Sequence, residues 1–98
     1  MAKAILFSLA EIFTAMYYVY VLVSESRNYI YVGMTDNLER RISYHNDGYN
    51  RTTKAYRPFR VLLTEQFTTR IEARNREKYL KSGTGKELLK EILADSNW

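Results

Sequence analysis

At 98 residues, with 46% hydrophobic and 27% charged residues, 4 Gly and 1 Pro, the chain has the composition of a globular domain and room for one core. With 0 Cys and 1 His, it excludes disulfide frameworks, thiolate zinc, iron–sulfur clusters, thiol nucleophiles and poly-His metal sites, so a bound metal must be a hard, oxygen-ligated cation such as Mg²⁺. The net charge of +4 favours a polyanionic partner, and 9 Tyr against 4 Phe suggests stacking, hydrogen bonding or chemistry as well as core packing.

Residues 1–16 are apolar and nearly uncharged, but their longest unbroken apolar-and-Ser run, residues 4–10, is closed by Glu11. A bilayer span needs about 20 such residues. No convincing signal-peptide cleavage site follows, so no membrane partner and a cytoplasmic location are expected. Leu6, Leu9, Phe13 and Met16 recur at helical spacing and predict a short helical extension over 1–16, ahead of a domain at 17–94 and a tail at 95–98.

Tyr17 to Val23 is β-branched and aromatic, and Tyr29 to Gly33 repeats the pattern after a turn-like Ser24 to Asn28, which reads as a β-hairpin. Alternation puts Val19, Val21 and Val23 on one face with Ile30 and Val32, and Tyr18, Tyr20, Tyr29 and Tyr31 on the other. Thr35 or Asp36 is placed to cap a helix to about Asn46, with Glu39 completing a capping box. Asn46 to Pro58 reads as a loop and Phe59 to Phe67 as a third strand. Thr69 and Glu72 open a second helix ending at Lys81, closed by Ser82-Gly83, and Thr84 and Glu87 open a third. The fold expected is α+β: a small three-stranded antiparallel sheet flanked by helices, in the order β-β-α-β-α-α.

On the first helix, Leu38 and Ile42 mark the buried side, Arg41 and His45 lie one turn apart at its edge, and Arg40 points away. An arginine stem laid along the core beside a packed histidine accounts for this as well as a pair of reactive groups does. On the second helix Glu77 lies within about 60° of the inner residues Ala73 and Leu80. A carboxylate there needs a cation, either Arg41 or a nearby Lys in an ion pair, or a divalent metal. An Arg, a His, a Glu and several phenols beside one sheet are the parts of phosphodiester cleavage: a metal to polarise the phosphate, a guanidinium for the transition-state charge, and a phenol or imidazole for the proton. Between Gly48 and Arg60 stand Arg51, Lys54 and Arg57 with no acid, interleaved with Tyr49, Tyr56 and Phe59. Such a loop is suited to neutralising phosphates while its rings stack on bases.

With these residues assembled, the chain resembles the GIY-YIG nuclease superfamily, in particular its compact single-domain bacterial members and the catalytic domain of the excision-repair incision nuclease. Tyr18-Val19-Tyr20 and Tyr31-Val32-Gly33 stand for the two tripeptides, Asn37 to Arg41 with His45 for the arginine helix, and Glu72 to Gly83 for the helix of the metal-binding glutamate. The resemblance implies a divalent-metal-dependent endonuclease cutting DNA with Mg²⁺ or Mn²⁺, structure-selective in repair or recombination. It implies Tyr20 and Tyr31 as motif tyrosines, Gly33 as the close-packed glycine, Arg41 on the phosphate, His45 at the position held by His or Tyr, and Glu77 as metal ligand. A monomer is expected. The alternative is a non-catalytic nucleic-acid-binding module on the same scaffold. The sequence departs from the pattern at Tyr18, which replaces the first glycine, and at Met34, where the related repair domain carries a lysine. No match stands out for the asparagine that some members place near the metal.

Overall fold

A computed structural model describes residues 16–96. The helical extension expected at 1–16 falls, except for Met16, outside the described residues. Strand β1 (Tyr17–Ser24) is central, paired antiparallel with β2 (Ile30–Thr35) on one side and β3 (Phe59–Phe67) on the other. Helix α1 (Leu38–Asn46) follows the hairpin, and α2 (Arg70–Lys81) and α3 (Gly83–Asp95) follow β3, in the order read from the sequence. No described helix is long and apolar enough to cross a membrane.

Two apolar clusters, one on each sheet face, follow from strand alternation. Val19, Val21 and Val32 pack with Ala73, Leu80 and Leu89 of α2 and α3. On the opposite face Tyr20, Leu22 and Phe59 pack with Tyr29, Tyr31, Tyr56 and with Leu38 and Ile42 of α1. The phenol face is therefore a second core rather than an open tiled surface, because α1 and the loop after it cover it. Val21 pairs with Leu63 but Leu22 with Val61, so Leu62 is an extra residue bulged out of β3, and both it and Leu63 reach the valine-side cluster.

The helix starts differ from the expected ones for local reasons. Asn37, not Thr35 or Asp36, caps α1: its side chain accepts from the Arg40 N–H at 3.2 Å, while Thr35 Oγ1 accepts from the Asn37 N–H at 3.1 Å. Glu39 is then one residue too early to close a capping box. Thr69 caps α2 as expected, accepting from the Glu72 N–H at 3.2 Å. Ser82 both ends α2 and caps α3, accepting from the Gly85 N–H at 3.2 Å, so α3 begins before Thr84. Gly85 is buried at this corner, where a Cβ would run into the backbone of Tyr79 and Leu80. β2 runs on to Thr35, past the Gly33 end expected, and the loop after α1 holds a single 3₁₀ turn at Lys54–Tyr56.

Candidate active site

Tyr20 and Gly33 are direct partners across the β1–β2 ladder, and Leu22 faces Tyr31. This register puts Tyr20 and Tyr31 on one face as diagonal neighbours, with ring centroids 6.2 Å apart. The Tyr20 ring folds over Gly33, where any Cβ would lie inside the contact distance of Tyr20 Cζ and Oη. Helix α1 adds the two residues one turn apart. His45 Nε2 lies 2.8 Å from Tyr20 Oη, and Arg41 Nε donates to the same oxygen at 3.4 Å. The Arg41 guanidinium also lies 4.7 Å from the centre of the Tyr44 ring, so it is held between a phenol oxygen and an aromatic face. Arg40, one residue earlier, is exposed, as the helical period requires.

The second ring nitrogen of His45, Nδ1, lies 2.8 Å from Thr53 Oγ1. Because Arg41 points an N–H at the Tyr20 oxygen, the network is satisfied when the phenol proton turns to His45 Nε2 and Nδ1–H donates to Thr53. Tyr20, His45 and Thr53 are all 0% exposed. Burial pushes the Tyr20 hydroxyl up to about 12, against the opposing pull of Arg41. Burial, helped by the Arg41 charge, pushes His45 down to about 4. At neutral pH the group is a neutral imidazole and a neutral phenol beside a fixed cation. The Tyr20 hydrogen bond holds Arg41 above its ordinary value. Tyr31 is half-buried, with its ring 4.7 Å from that of His45.

Arg41 lines two clefts that meet at the end of β2. One, of about 290 Å³, is lined also by Asn37, Arg40 and Tyr44, the other, of about 210 Å³, by Tyr17, Met34 and Arg70, and Thr35 and Asp36 line both. With its guanidinium shared between the Tyr20 and Tyr31 phenols and no ion pair among the described residues, Arg41 still has more N–H groups than these two partners take up and retains donors for an anion.

Glu77 stands on α2, which packs against β1 and β2 on the valine side of the sheet. It is 6% exposed, and its oxygens accept from Arg74 at 2.8 Å and Lys81 at 3.2 Å, not from Arg41. Both cations are about half exposed, at 51% and 52%. No described group of three or more His, Cys, Asp or Glu could cage a metal. A single, nearly buried carboxylate flanked by half-exposed side chains does fit Mg²⁺ or Mn²⁺, which bind through one or two carboxylates and take their other ligands from water and phosphate.

In the basic loop, Arg51, Lys54 and Arg57 are exposed. Its rings are mostly committed to packing: Tyr56 stacks on Tyr29 at 3.8 Å and Phe59 is buried. Tyr49 alone of the three is open, at 72% exposure, and stacks on Tyr44 at 5.8 Å. Sequence reasoning missed Tyr44 and Thr53. Tyr44 carries a signal, three residues after Arg41 on one helix face; Thr53 carries none.

A family model described as the GIY-YIG catalytic domain matches residues 16–90. The UPF0213 protein CPE1444 of Clostridium perfringens is 37% identical over 82 residues, 83% of this chain and 87% of that one. The UPF0213 protein YazA of Bacillus subtilis is 35% identical over 75 residues, 76% and 75% of the two chains. The solution NMR structure of the UPF0213 protein BH0048 from Bacillus halodurans is similar at 31% identity and a TM-score of 0.51, covering 83% of this chain and 88% of that one. The match spans every element that carries Tyr20, Tyr31, Arg41, His45 and Glu77, so the chain belongs to the GIY-YIG nuclease family.

Proposed function

We propose that the protein is a divalent-metal-dependent endonuclease that hydrolyses DNA phosphodiester bonds as a cytoplasmic monomer, selecting structured DNA in repair or recombination. The observation that carries this reading is the Arg41 guanidinium, held by the buried Tyr20 hydroxyl and the Tyr44 ring while its side chain lines two clefts. A merely structural arginine has no use for free donors at a cleft mouth. In this reading Arg41 binds the scissile phosphate and offsets the charge of its transition state. Tyr20 and His45, with no exposed surface, are positioning residues that fix Arg41, and Thr53 fixes His45. Tyr31, the more accessible phenol, hydrogen-bonds the attacking water and orients it toward the phosphorus. Glu77 holds the metal once Arg74 and Lys81 swing aside, and Arg51, Lys54 and Arg57 grip flanking phosphates. When bound, the divalent ion supplies Lewis-acid polarisation of the phosphate and stabilises the leaving oxygen.

The test is Glu77→Gln, assayed on duplex, nicked, flapped, branched and single-stranded DNA with Mg²⁺, Mn²⁺ or EDTA. Metal-dependent cleavage should vanish while the fold and DNA affinity stay near wild type. Unfolding or undiminished cutting would make Glu77 an ion-pair member only, and binding without cutting by the wild type would favour the non-catalytic module.

A further inference from the structure

The outer edge of β2 is unpaired among the described residues, since the sheet order is β2-β1-β3. Along this edge lies a cleft of about 430 Å³, within the range of about 300–1,000 Å³ typical of ligand sites. Its apolar lining includes Ile30, Val32, Leu80 and Leu89, and its wall carries Lys81, Lys86 and Lys90 with no acid. Tyr31 lines it too. Lys86 has no acidic partner among the described residues, and Lys90 has only the exposed Glu87, at 3.4 Å.

Helix α2 joins this cleft to the one at the opposite end of β2. Arg70 near its start lines the Arg41 cleft with Met34, and Lys81 at its end lines the lysine cleft with Ile30 and holds Glu77 Oε2 at 3.2 Å. From Arg70 to Lys81 the helix rises about 16 Å, and from Met34 to Ile30 the strand covers about 13 Å, so helix and strand edge span the same two clefts. Cations therefore stand at both ends of one track, Arg41 and Arg70 beside Asp36 at one end and the lysines at the other, with Glu77 on the helix between them. Three lysines in a lining that contains no acid and includes Tyr31, with Lys81 paired to Glu77 behind it and Lys90 to the exposed Glu87, fit a phosphate backbone rather than a mixed-charge protein surface.

We propose that the cleft between the β2 edge and α3 is a DNA-binding site distinct from the basic loop, holding the strand that continues from the scissile phosphate, with its phosphates on Lys81, Lys86 and Lys90 and its sugars and bases against the half-buried Ile30 and Tyr31. This deepens the nuclease reading by giving the substrate strand a path.

The test measures binding alone, in EDTA, by fluorescence anisotropy of a labelled single-stranded oligonucleotide and its duplex across a salt series. Lys86→Gln/Lys90→Gln should lower the log–log salt slope by about 1.4 for the single strand or 1.8 for the duplex, the loss of two phosphate contacts. The methyl NMR shifts of Ile30 should move when wild type is titrated with the oligonucleotide. An unchanged slope in the variant with unmoved methyls overturns the proposal. Methyl shifts induced by a polyglutamate peptide but not by DNA also overturn it, assigning the cleft to an acidic protein segment. Altered binding in a protein that never cuts would sink the nuclease reading and leave the site standing; normal cutting with an unchanged slope would do the reverse.

Discussion

Replacing Gly33 by alanine tests how the site is built, because the three atoms nearest the single added methyl all belong to the Tyr20 side chain. Tyr20 has no free side to move to: it is 0% exposed, packed with Leu22 and Phe59, and tied by its hydroxyl to His45 and Arg41. Forcing a methyl into a filled core costs about 1–3 kcal/mol. If the ring yields, the buried Tyr20–His45 bond goes with it, at a further cost of about 1–3 kcal/mol. A loss of about 3 kcal/mol would lower the melting temperature of a domain this size by on the order of 15 °C. Urea unfolding followed by circular dichroism should show a lower midpoint with an unchanged slope. Single-turnover cleavage under folded conditions should also fall, since the phenol that holds Arg41 has been displaced. Tyr20→Leu shortens the side chain and relieves the overlap, so Gly33→Ala/Tyr20→Leu should cost less than the two single changes added, by about 1 kcal/mol or more. Strict additivity, or a Gly33→Ala variant within about 0.5 kcal/mol of wild type, would refute the close packing inferred here.

Arg41→Ala should reduce the single-turnover cleavage rate by two or more powers of ten, on the order of 3 kcal/mol, whereas exposed Arg40→Ala should leave rate and stability nearly unchanged; equal losses would contradict the separation of the two side chains. Acid should destabilise the fold through His45, whose value drops from an ordinary 6.5 to about 4. Between those values the unfolded chain binds more protons, so stability is full above pH 6.5 and falls as the pH drops, by about 3 kcal/mol once below pH 4. Urea titrations at a series of pH values should show this limb in wild type and lack it in His45→Gln; a limb of equal size in both would place the titrating group elsewhere.

What the sequence discloses and what it hides divide along the range of the interactions. Strand β3 and the Thr69 cap are set by alternation and a capping box within a few residues, and both stand where local pattern puts them. The first turn of α1 offers Thr35, Asp36 and Asn37 in a row, all able to cap, and only the path of β2 into the helix selects Asn37. The position of Glu77 on the inner side of α2 is legible from the helical period, and its partners Arg74 and Lys81 stand at i−3 and i+4, a spacing open to the same reasoning. That the phenol face is covered is not legible, because strand alternation sorts faces without saying what lies over them. Thr53 is the extreme case: an ordinary threonine in a polar loop, whose role depends on the loop folding back over α1 to meet His45.

That fold-back ties two things together mechanically. The loop is pinned at Asn50, whose side chain accepts from the Thr53 N–H at 3.1 Å, and at its far end Asn46 clamps the backbone of Phe59 from both sides, at 2.7 and 3.3 Å. Lifting the loop away would leave a buried imidazole nitrogen with nothing to bond, at a cost on the order of 1–3 kcal/mol. Thr53 is thus a latch. The segment that carries Arg51, Lys54 and Arg57 toward DNA cannot open freely without unsettling His45, Tyr20 and, through them, the guanidinium at the cleft mouth, so the reach of the loop and the aim of Arg41 are fixed by one hydroxyl.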